Sequence, residues 1–349
     1  MTLSPVFRSD EAVEALTSAG LWNQLAPAAQ GQADAIATVR HDLPNVLDAT
    51  FIDAPALADE NATFGIEFVQ EFFFLILFRS VLETVGVSPS ALGLCSELNF
   101  CIKGTITAAD NLFDDQNKTL LPLKAGEGAR FNSILQLLAF DRLADRALQR
   151  GIRAGSIGEQ SAQPFQRELL SRMAAIGSLE GSEEHGVRGV LDPDTMIDRV
   201  HRIRGGALFE LAFVAPRLLA AAPGAELLSR AQRAISRLGT AFQIVDDLTD
   251  FEIDIERRSH NLLVSQITHS GLAEEKTFLE KVTGTVDGKD IVTERFAHSA
   301  RAVIERGELE ARAALEELQS LGFWFPPHLS DQLVRAIVGL DGIERMRAL

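Results

Sequence analysis

Two aspartate clusters carry the strongest chemical signal in this chain. One reads Asp110-Asn111-Leu112-Phe113-Asp114-Asp115. The other reads Asp246-Asp247-Leu248-Thr249-Asp250, with Asp254 four residues further on. In each, carboxylates recur at i and i+4, so on a helix they leave one face about one turn apart. Like charges at that spacing repel, and stability alone does not favour them. Hard oxygen ligands that close together suit Mg²⁺, which is held by one or two carboxylates plus phosphate oxygens. Two such faces turned toward each other across a helical cavity would grip a diphosphate through bridging metal ions.

A single Asp-rich helix face is ordinarily a solvated one, paired with Lys or Arg at i+4. Here both clusters continue apolar helical runs, Ile102–Leu112 before the first and Leu238–Val245 before the second. Aspartates on an apolar face are costly unless paired or metal-bound. Two such clusters, about 130 residues apart, favour the metal reading.

The elements that must position them are helices. Apolar residues recur with helical periodicity along most of the chain, and strand-type alternation is hard to find. The pattern predicts helices over Glu60–Thr84, Pro89–Asn117, Ala129–Arg150, Gln160–Ala175, Pro193–Ala222 and Ala225–Glu256. Others follow over Leu272–Val282, Asp290–Ser320 and Leu329–Arg345. Breaks fall at Thr119–Gly128, at the Gly-rich stretch Gly177–Gly186, at Asp192-Pro193 and at Ala222-Pro223-Gly224. None is long enough to link domains. The expected fold is all-α: one domain over 1–349, its helices packed as a bundle around a deep central cavity. The motifs lie in a core of about 60–265, and 1–59 forms an N-terminal helical extension.

Composition narrows the function. Of 349 residues, 46% are hydrophobic, enough for a large core. The net charge of −16 argues against nucleic-acid or anionic-membrane surfaces, which are bound through Lys and Arg. An anionic substrate would need metal ions to enter so acidic a site. Cys95 and Cys101 read as buried free thiols of a reducing cytosol, so the expected location is cytoplasmic. No basic-then-apolar leader opens the sequence, and the longest apolar run, Phe72–Phe78, is too short to span a bilayer. The apolar stretch Phe68–Phe78 is a candidate homodimer face, although sequence does not separate that from core.

The segment Gly239-Thr240-Ala241-Phe242-Gln243-Ile244-Val245-Asp246-Asp247-Leu248-Thr249-Asp250 resembles the second aspartate-rich motif of the trans-isoprenyl diphosphate synthases. Asp110–Asp115 resembles the first motif, with Asn111 at its second position. Arg204-Gly205-Gly206-Ala207-Leu208-Phe209-Glu210 is similar to the segment between them, where the family has Lys-Thr. Leu138-Ala139-Phe140-Asp141 resembles a Gly-Asp-x-Leu element with Phe140 in place of glycine. The resemblance extends from about Arg79 to Leu263. It implies the all-α isoprenoid-synthase fold, three Mg²⁺ ions and an allylic prenyl diphosphate substrate.

Carried over by position, the resemblance makes Asp110, Asp114 and Asp115 metal ligands from one helix. Asp246, Asp247, Asp250 and Asp254 are the candidates from the other. Gln243 would touch substrate or metal-bound water, and Arg204 would contact the diphosphate. Arg258, or Arg257, would stand where the family has a later lysine, with His260-Asn261-Leu262 fixing the loop. Phe100, Phe113, Phe209, Phe213 and Phe242 are candidates to face a carbocation, against ordinary core packing. Ile106 and Thr105 occupy the positions that gate chain length in the family. Neither is aromatic, which implies a C15 or longer substrate. Lys103, seven residues before Asp110, is a candidate diphosphate contact, with a surface lysine as the bland account.

The chain also departs from the family. Chain-elongating members hold isopentenyl diphosphate with a Gly-Gly-Lys-Arg-x-Arg segment, and here only Arg79 remains of that set. The Arg-Arg-Gly that follows the first motif is replaced by Gln116-Asn117-Lys118. Three or four lost charge-assisted contacts, each worth roughly 1.5–3 kcal/mol, would abolish useful affinity for a second diphosphate. The expected reaction is therefore ionisation of one prenyl diphosphate, followed by cyclisation or rearrangement as in a terpene synthase. Transfer of the cation to isopentenyl diphosphate or another acceptor is the alternative, with Lys103, Lys118, Lys124 and Arg130 as substitute cations. A non-catalytic isoprenoid-binding or regulatory relative would be expected to lose its metal carboxylates, and this chain keeps them.

Overall fold

A computed structural model of the chain describes residues 9–58, 66–114, 116–124, 128–219, 224–282, 291–337, 345–346 and 349. In chain order the helices are α1 (Asp10–Ser18), α2 (Leu21–His41), α3 (Ala54–Ala58), α4 (Ile66–Thr84), α5 (Pro89–Asp114) and α6 (Ala129–Arg153). Next come α7 (Glu159–Gly181), α8 (Pro193–Met196), a π-helix over Ile197–Ala207, α9 (Leu208–Glu210) and α10 (Val214–Leu219). The last are α11 (Ala225–Thr249), α12 (Phe251–Arg257), α13 (Leu262–Ser270), α14 (Ala273–Leu279), α15 (Ile291–Arg295), α16 (Ala297–Ser320) and α17 (Ser330–Ile337). Short 3₁₀ turns join several of them. Among the described residues there is no strand, only one isolated antiparallel bridge between Ile52 and Leu123. Among the described residues no helix is long and apolar enough to cross a membrane. The expected all-α architecture is present.

The described residues form two compact units. The first draws on 23–168 and 211–228. Its main helix pair is α5 and α6. Their close approach has a local cause: a Cβ at Gly104 would lie 2.1 Å from the Phe140 ring. The missing side chain on α5 makes the space that the phenylalanine on α6 fills. Phe140 in turn meets Phe100 edge-on, at 5.6 Å between ring centres, and Phe100 meets Phe72 of α4 at 6.1 Å. Phe72, Phe73, Leu75, Ile76, Leu77 and Phe78 are all buried within this unit. Most of the stretch considered as a dimer face is thus core.

The second unit draws on 9–22, 169–210 and 229–349. The π-helix lies against α11 almost backbone to backbone. A Cβ at Gly205 would sit 2.1 Å from the Gly239 carbonyl oxygen, and one at Gly239 would sit 2.4 Å from the Gly205 carbonyl oxygen. Two glycines facing each other allow that contact. Across α11, Gly307 of α16 packs on Val245 and Ile244. α16 also packs on α13 and α17, and α17 on α1. Phe251, Phe296 and Phe278 make an edge-on aromatic chain.

Several expected helices differ from their outlines; the stretch over 290–320, for one, breaks at Phe296 between α15 and α16. The stretch over 193–222 is interrupted by the π-helix and a 3₁₀ turn at Leu211–Phe213. The stretch over 225–256 breaks at Asp250, whose φ of −95° and ψ of 7° leave the helical region. α1, α2, α3 and α13 lie beyond the individually outlined helices, the first three within the expected N-terminal helical extension.

Candidate active site

The first aspartate cluster occupies the last turn of α5. The C-terminal end of a helix is the negative pole of its dipole, where cations stabilise and each carboxylate costs about 0.3–1 kcal/mol. No basic residue stands in that turn to offset it. Asp110 is exposed; the Asp114 side chain and Asp115 lie outside the described residues. Asn111 is buried and has a separate task. Its Oδ1 accepts from the Lys118 backbone N–H at 3.1 Å, and its Nδ2 donates to the Lys118 carbonyl at 2.8 Å. Gln136 adds a bond to each of Lys118 and Leu120, and Arg40 donates to the Leu120 carbonyl at 3.1 Å. The loop that leaves the cluster is thereby pinned from three sides. An aspartate at 111 lacks the donor that this arrangement uses.

Along the same face of α5 stand Asn99, Lys103 and Ile106, at i, i+4 and i+7. Lys103 is not a surface lysine. It is half-buried, and desolvation lowers its pKa against the opposing pull of Glu71 and Asp110. Among the described residues it makes no hydrogen bond or ion pair. Arg79, by contrast, is consumed by the fold. It donates to Ser96 Oγ at 2.7 Å and to the Leu92 carbonyl at 3.3 Å, and its guanidinium fills the space above Gly31. Arg79 thereby packs between α2, α4 and α5. Phe100 is fully buried in the aromatic core. Phe213 is fully buried, and Phe113 is half exposed at 51%.

The second cluster sits at the C-terminal end of α11, again with no basic residue in the last turn. Its members divide in function. Asp247 is buried, and its Oδ2 accepts from the Leu262 backbone N–H at 2.5 Å and pairs with His201 Nε2 at 2.8 Å. Its Oδ1 accepts from Gln243 Nε2 at 3.4 Å. With both oxygens engaged, Asp247 is a pin that ties the π-helix and α13 to α11. Gln243 accordingly braces Asp247 with its amide donor. Asp246 is half-buried and Asp250 exposed. Asp254, on α12, accepts from Asn261 Nδ2 at 2.8 Å. Burial, then the nearby charges of Asp247 and Asp250, push its pKa up to about 8. That crowding of carboxylates is a fit for a hard cation. Among the described residues no three His, Cys, Asp or Glu side chains form a metal cage. The donor set suits a cation that shares one or two carboxylates with phosphate oxygens.

Arg204 projects from the π-helix into a carboxylate clamp. Its Nε donates to Glu180 Oε1 at 2.6 Å, and its Nη2 to Glu180 Oε2 at 3.2 Å and Glu183 Oε1 at 2.8 Å. Burial alone would lower its pKa; the two glutamates outweigh burial and hold it charged. Glu183 is a buried hub that also accepts from the His260 backbone N–H at 3.0 Å and meets His260 Nδ1 at 2.6 Å. Burial pushes the Glu183 carboxyl up, but His260 and Arg204 hold it below the usual value. Arg258 ends α12 with φ of 57°, left-handed for a residue with a side chain. Its carbonyl accepts from Val187 N at 2.8 Å, and its side chain is exposed, as is that of Arg257. Phe209 and Phe242 stack at 6.2 Å between centres and 26° between planes.

Sequence reasoning passed over His201, Glu180 and Glu183. An acidic run beside a Gly-rich loop reads as solvated, and only the π-helix carrying Arg204 reveals otherwise.

No protein-family model matches the sequence, and neither does any curated protein. Solved structures do match. A decaprenyl diphosphate synthase from Rhodobacter capsulatus aligns over 94% of this chain and 99% of its own, at 18% identity and a TM-score of 0.54. The chain has the trans-isoprenyl diphosphate synthase fold. A geranylgeranyl pyrophosphate synthase from Lactobacillus brevis ATCC 367 aligns over 90% and 98%, at 15% identity and a TM-score of 0.58. A polyprenyl synthase from Caulobacter crescentus CB15, complexed with calcium and isoprenyl diphosphate, aligns over 93% and 98%. Its identity is 16% and its TM-score 0.55. At such identities the likeness concerns this prenyl synthase fold, and function must be argued from the residues.

Proposed function

We propose that the protein ionises an allylic prenyl diphosphate of C15 or longer with the help of Mg²⁺, then lets the cation cyclise or rearrange. One observation carries the reading: two aspartate clusters each occupy a helix C-terminus that lacks a basic residue, where stability calls for cations. The calcium and isoprenyl diphosphate bound by the Caulobacter protein of the same fold support it.

The reading assigns metal-ligand roles to Asp246 and Asp250 and, separately, to Asp110, Asp114 and Asp115. Three Mg²⁺ ions, as the family resemblance implies, would supply Lewis-acid neutralisation of the leaving diphosphate. Asp254 supports Asp250 from the next turn. Arg204 is the cation for the same diphosphate, and the Glu180–Glu183 clamp sets its orientation and keeps its charge. Arg258 and Arg257, both exposed, are further diphosphate contacts. The Phe209–Phe242 pair offers an apolar lining, and a ring face there stabilises a passing cation. A dry lining also protects that cation from water.

The use of Arg79 in packing favours a single diphosphate substrate. Lys103 favours a second reading, prenyl transfer to isopentenyl diphosphate or another acceptor. It is a largely desolvated cation with no described partner, set two turns before Asp110. One experiment separates the two readings. The protein is incubated with Mg²⁺ and C10, C15, C20 or C25 allylic diphosphates, with and without isopentenyl diphosphate. Hydrocarbon or alcohol formed without isopentenyl diphosphate is the expected result. A longer prenyl diphosphate formed only in its presence, and lost in Lys103→Met, establishes transfer instead. No diphosphate release under any condition sinks both and leaves a binding protein.

A further inference from the structure

Arg345 stands far along the chain from either cluster, yet its buried guanidinium reaches the junction of α11 and α12. Nη1 donates to the Leu248 carbonyl and, at 3.5 Å, to the Thr249 carbonyl. Nη2 donates to Glu252 Oε1 at 2.7 Å. The last four carbonyls of a helix find no partner within it. In α11 all four are accounted for. Asp246 O accepts from Asp250 N at 3.1 Å, and Asp247 O from Asn261 Nδ2 at 2.7 Å. Arg345 takes the remaining two. Those four residues, Asp246 to Thr249, are the first four of the second aspartate cluster.

The junction sets where the carboxylates point. On one unbroken helix, Asp246, Asp250 and Asp254 would share a face at i, i+4 and i+8. The break at Asp250 turns the chain between the second and third, and Asp254 goes to Asn261. Arg345 also brings positive charge to a helix end that has none in its own last turn. Its second nitrogen, fixed on the first turn of α12, makes it a strut across the bend.

We infer that Arg345 is a positioning residue for the second aspartate cluster: it holds the α11–α12 bend and so orients Asp246 and Asp250 toward a divalent cation and its diphosphate. The strut stands on geometry alone, while its consequence for cation binding rests on the function proposed above.

The test uses the full chain as Arg345→Met, Arg345→Lys and a control, Arg301→Met. Arg301 bonds the Leu349 carbonyl at 3.0 Å, so the control breaks another late contact without touching α11. Helix content is checked by circular dichroism. Hydrogen exchange over 246–256 is measured without ligand, and binding of Mn²⁺ with inorganic pyrophosphate is measured by calorimetry. Arg345→Met is expected to exchange at least about tenfold faster at Asp250 and Asp254 and to bind at least about tenfold more weakly. Arg345→Lys recovers part of both, and Arg301→Met behaves as the parent. Exchange and binding within about twofold of the parent in a folded Arg345→Met overturn the inference. So does an Arg301→Met that loses as much. If the parent itself binds no Mn²⁺–pyrophosphate, the proposed function fails while the exchange comparison still decides the strut. Should Arg345→Met not fold, Glu252→Gln loosens one end only: faster exchange supports the strut, and unchanged exchange overturns it.

Discussion

Each cluster uses its acidic and amide side chains for different tasks. Asp247, buried and bonded on both oxygens, behaves as structure, whereas the half-buried Asp246 and the exposed Asp250 are the proposed metal ligands. Asp254 lies between these roles. Its pKa of about 8 is far above that of an unfolded aspartate, so folding favours its protonated form. Stability from this group is present below about pH 4 and is lost as pH rises toward about 8. Asp254→Asn keeps the acceptor for Asn261 and removes the charge. It is expected to raise metal-free stability at pH 8 by about 1–2 kcal/mol, allowing for solvent screening of a half-exposed group, and by little at pH 4. Urea midpoints at the two pH values check this; an equal gain at both would assign the effect to packing. On the first cluster, Asn111→Asp sets a carboxylate oxygen against the Lys118 carbonyl, which keeps only its longer bond from Gln136. A cost of about 1–2 kcal/mol is expected, with earlier proteolytic nicking within 116–120. A variant as stable and as resistant as the parent would show that the loop is held by Gln136 and Arg40 alone.

At the scale of elements, the helices are legible in the sequence because apolar spacing is set by burial, and burial decides where helices lie. The Asp250 break is less legible. Leu248 and Phe251 continue an apolar pattern straight through it, while the cause, Arg345, lies almost a hundred residues away. The π-helix is hidden for a similar reason: its eleven residues keep a helical pattern, and its close contact with α11 joins residues far apart in sequence. π-Helical turns are rare and concentrate at functional sites, and this one carries Arg204 and His201. Gly205 and Gly239 were visible as residues, but their mutual contact was not. Gly205→Ala puts a methyl group into the Gly239 carbonyl and must push the π-helix off α11. A loss of at least about 2 kcal/mol is expected, along with weakening of the His201–Asp247 bond. Chemical denaturation, together with NMR of the His201 ring, reads both. An unchanged His201 signal in a destabilised variant would mean that the two contacts are independent.

For the whole molecule, a net charge of −16 opposes compaction, so any cation raises stability to some degree by screening. Specific binding must exceed that background. A ligand that binds only the folded state at a hundred times its Kd adds about 2.7 kcal/mol. For a chain of this size that is roughly a 4 °C rise in Tm. MgCl₂ with inorganic pyrophosphate is expected to give such a rise beyond MgCl₂ alone and beyond NaCl at equal ionic strength. The double variant Asp246→Asn, Asp250→Asn removes two charges and should be the more stable protein without ligand. It should nevertheless lose the pyrophosphate-dependent rise while keeping the response to salt. Opposite signs for the two effects are informative, because general destabilisation would lower both. If the double variant keeps the full pyrophosphate rise, these aspartates are a charged helix end and the binding lies elsewhere.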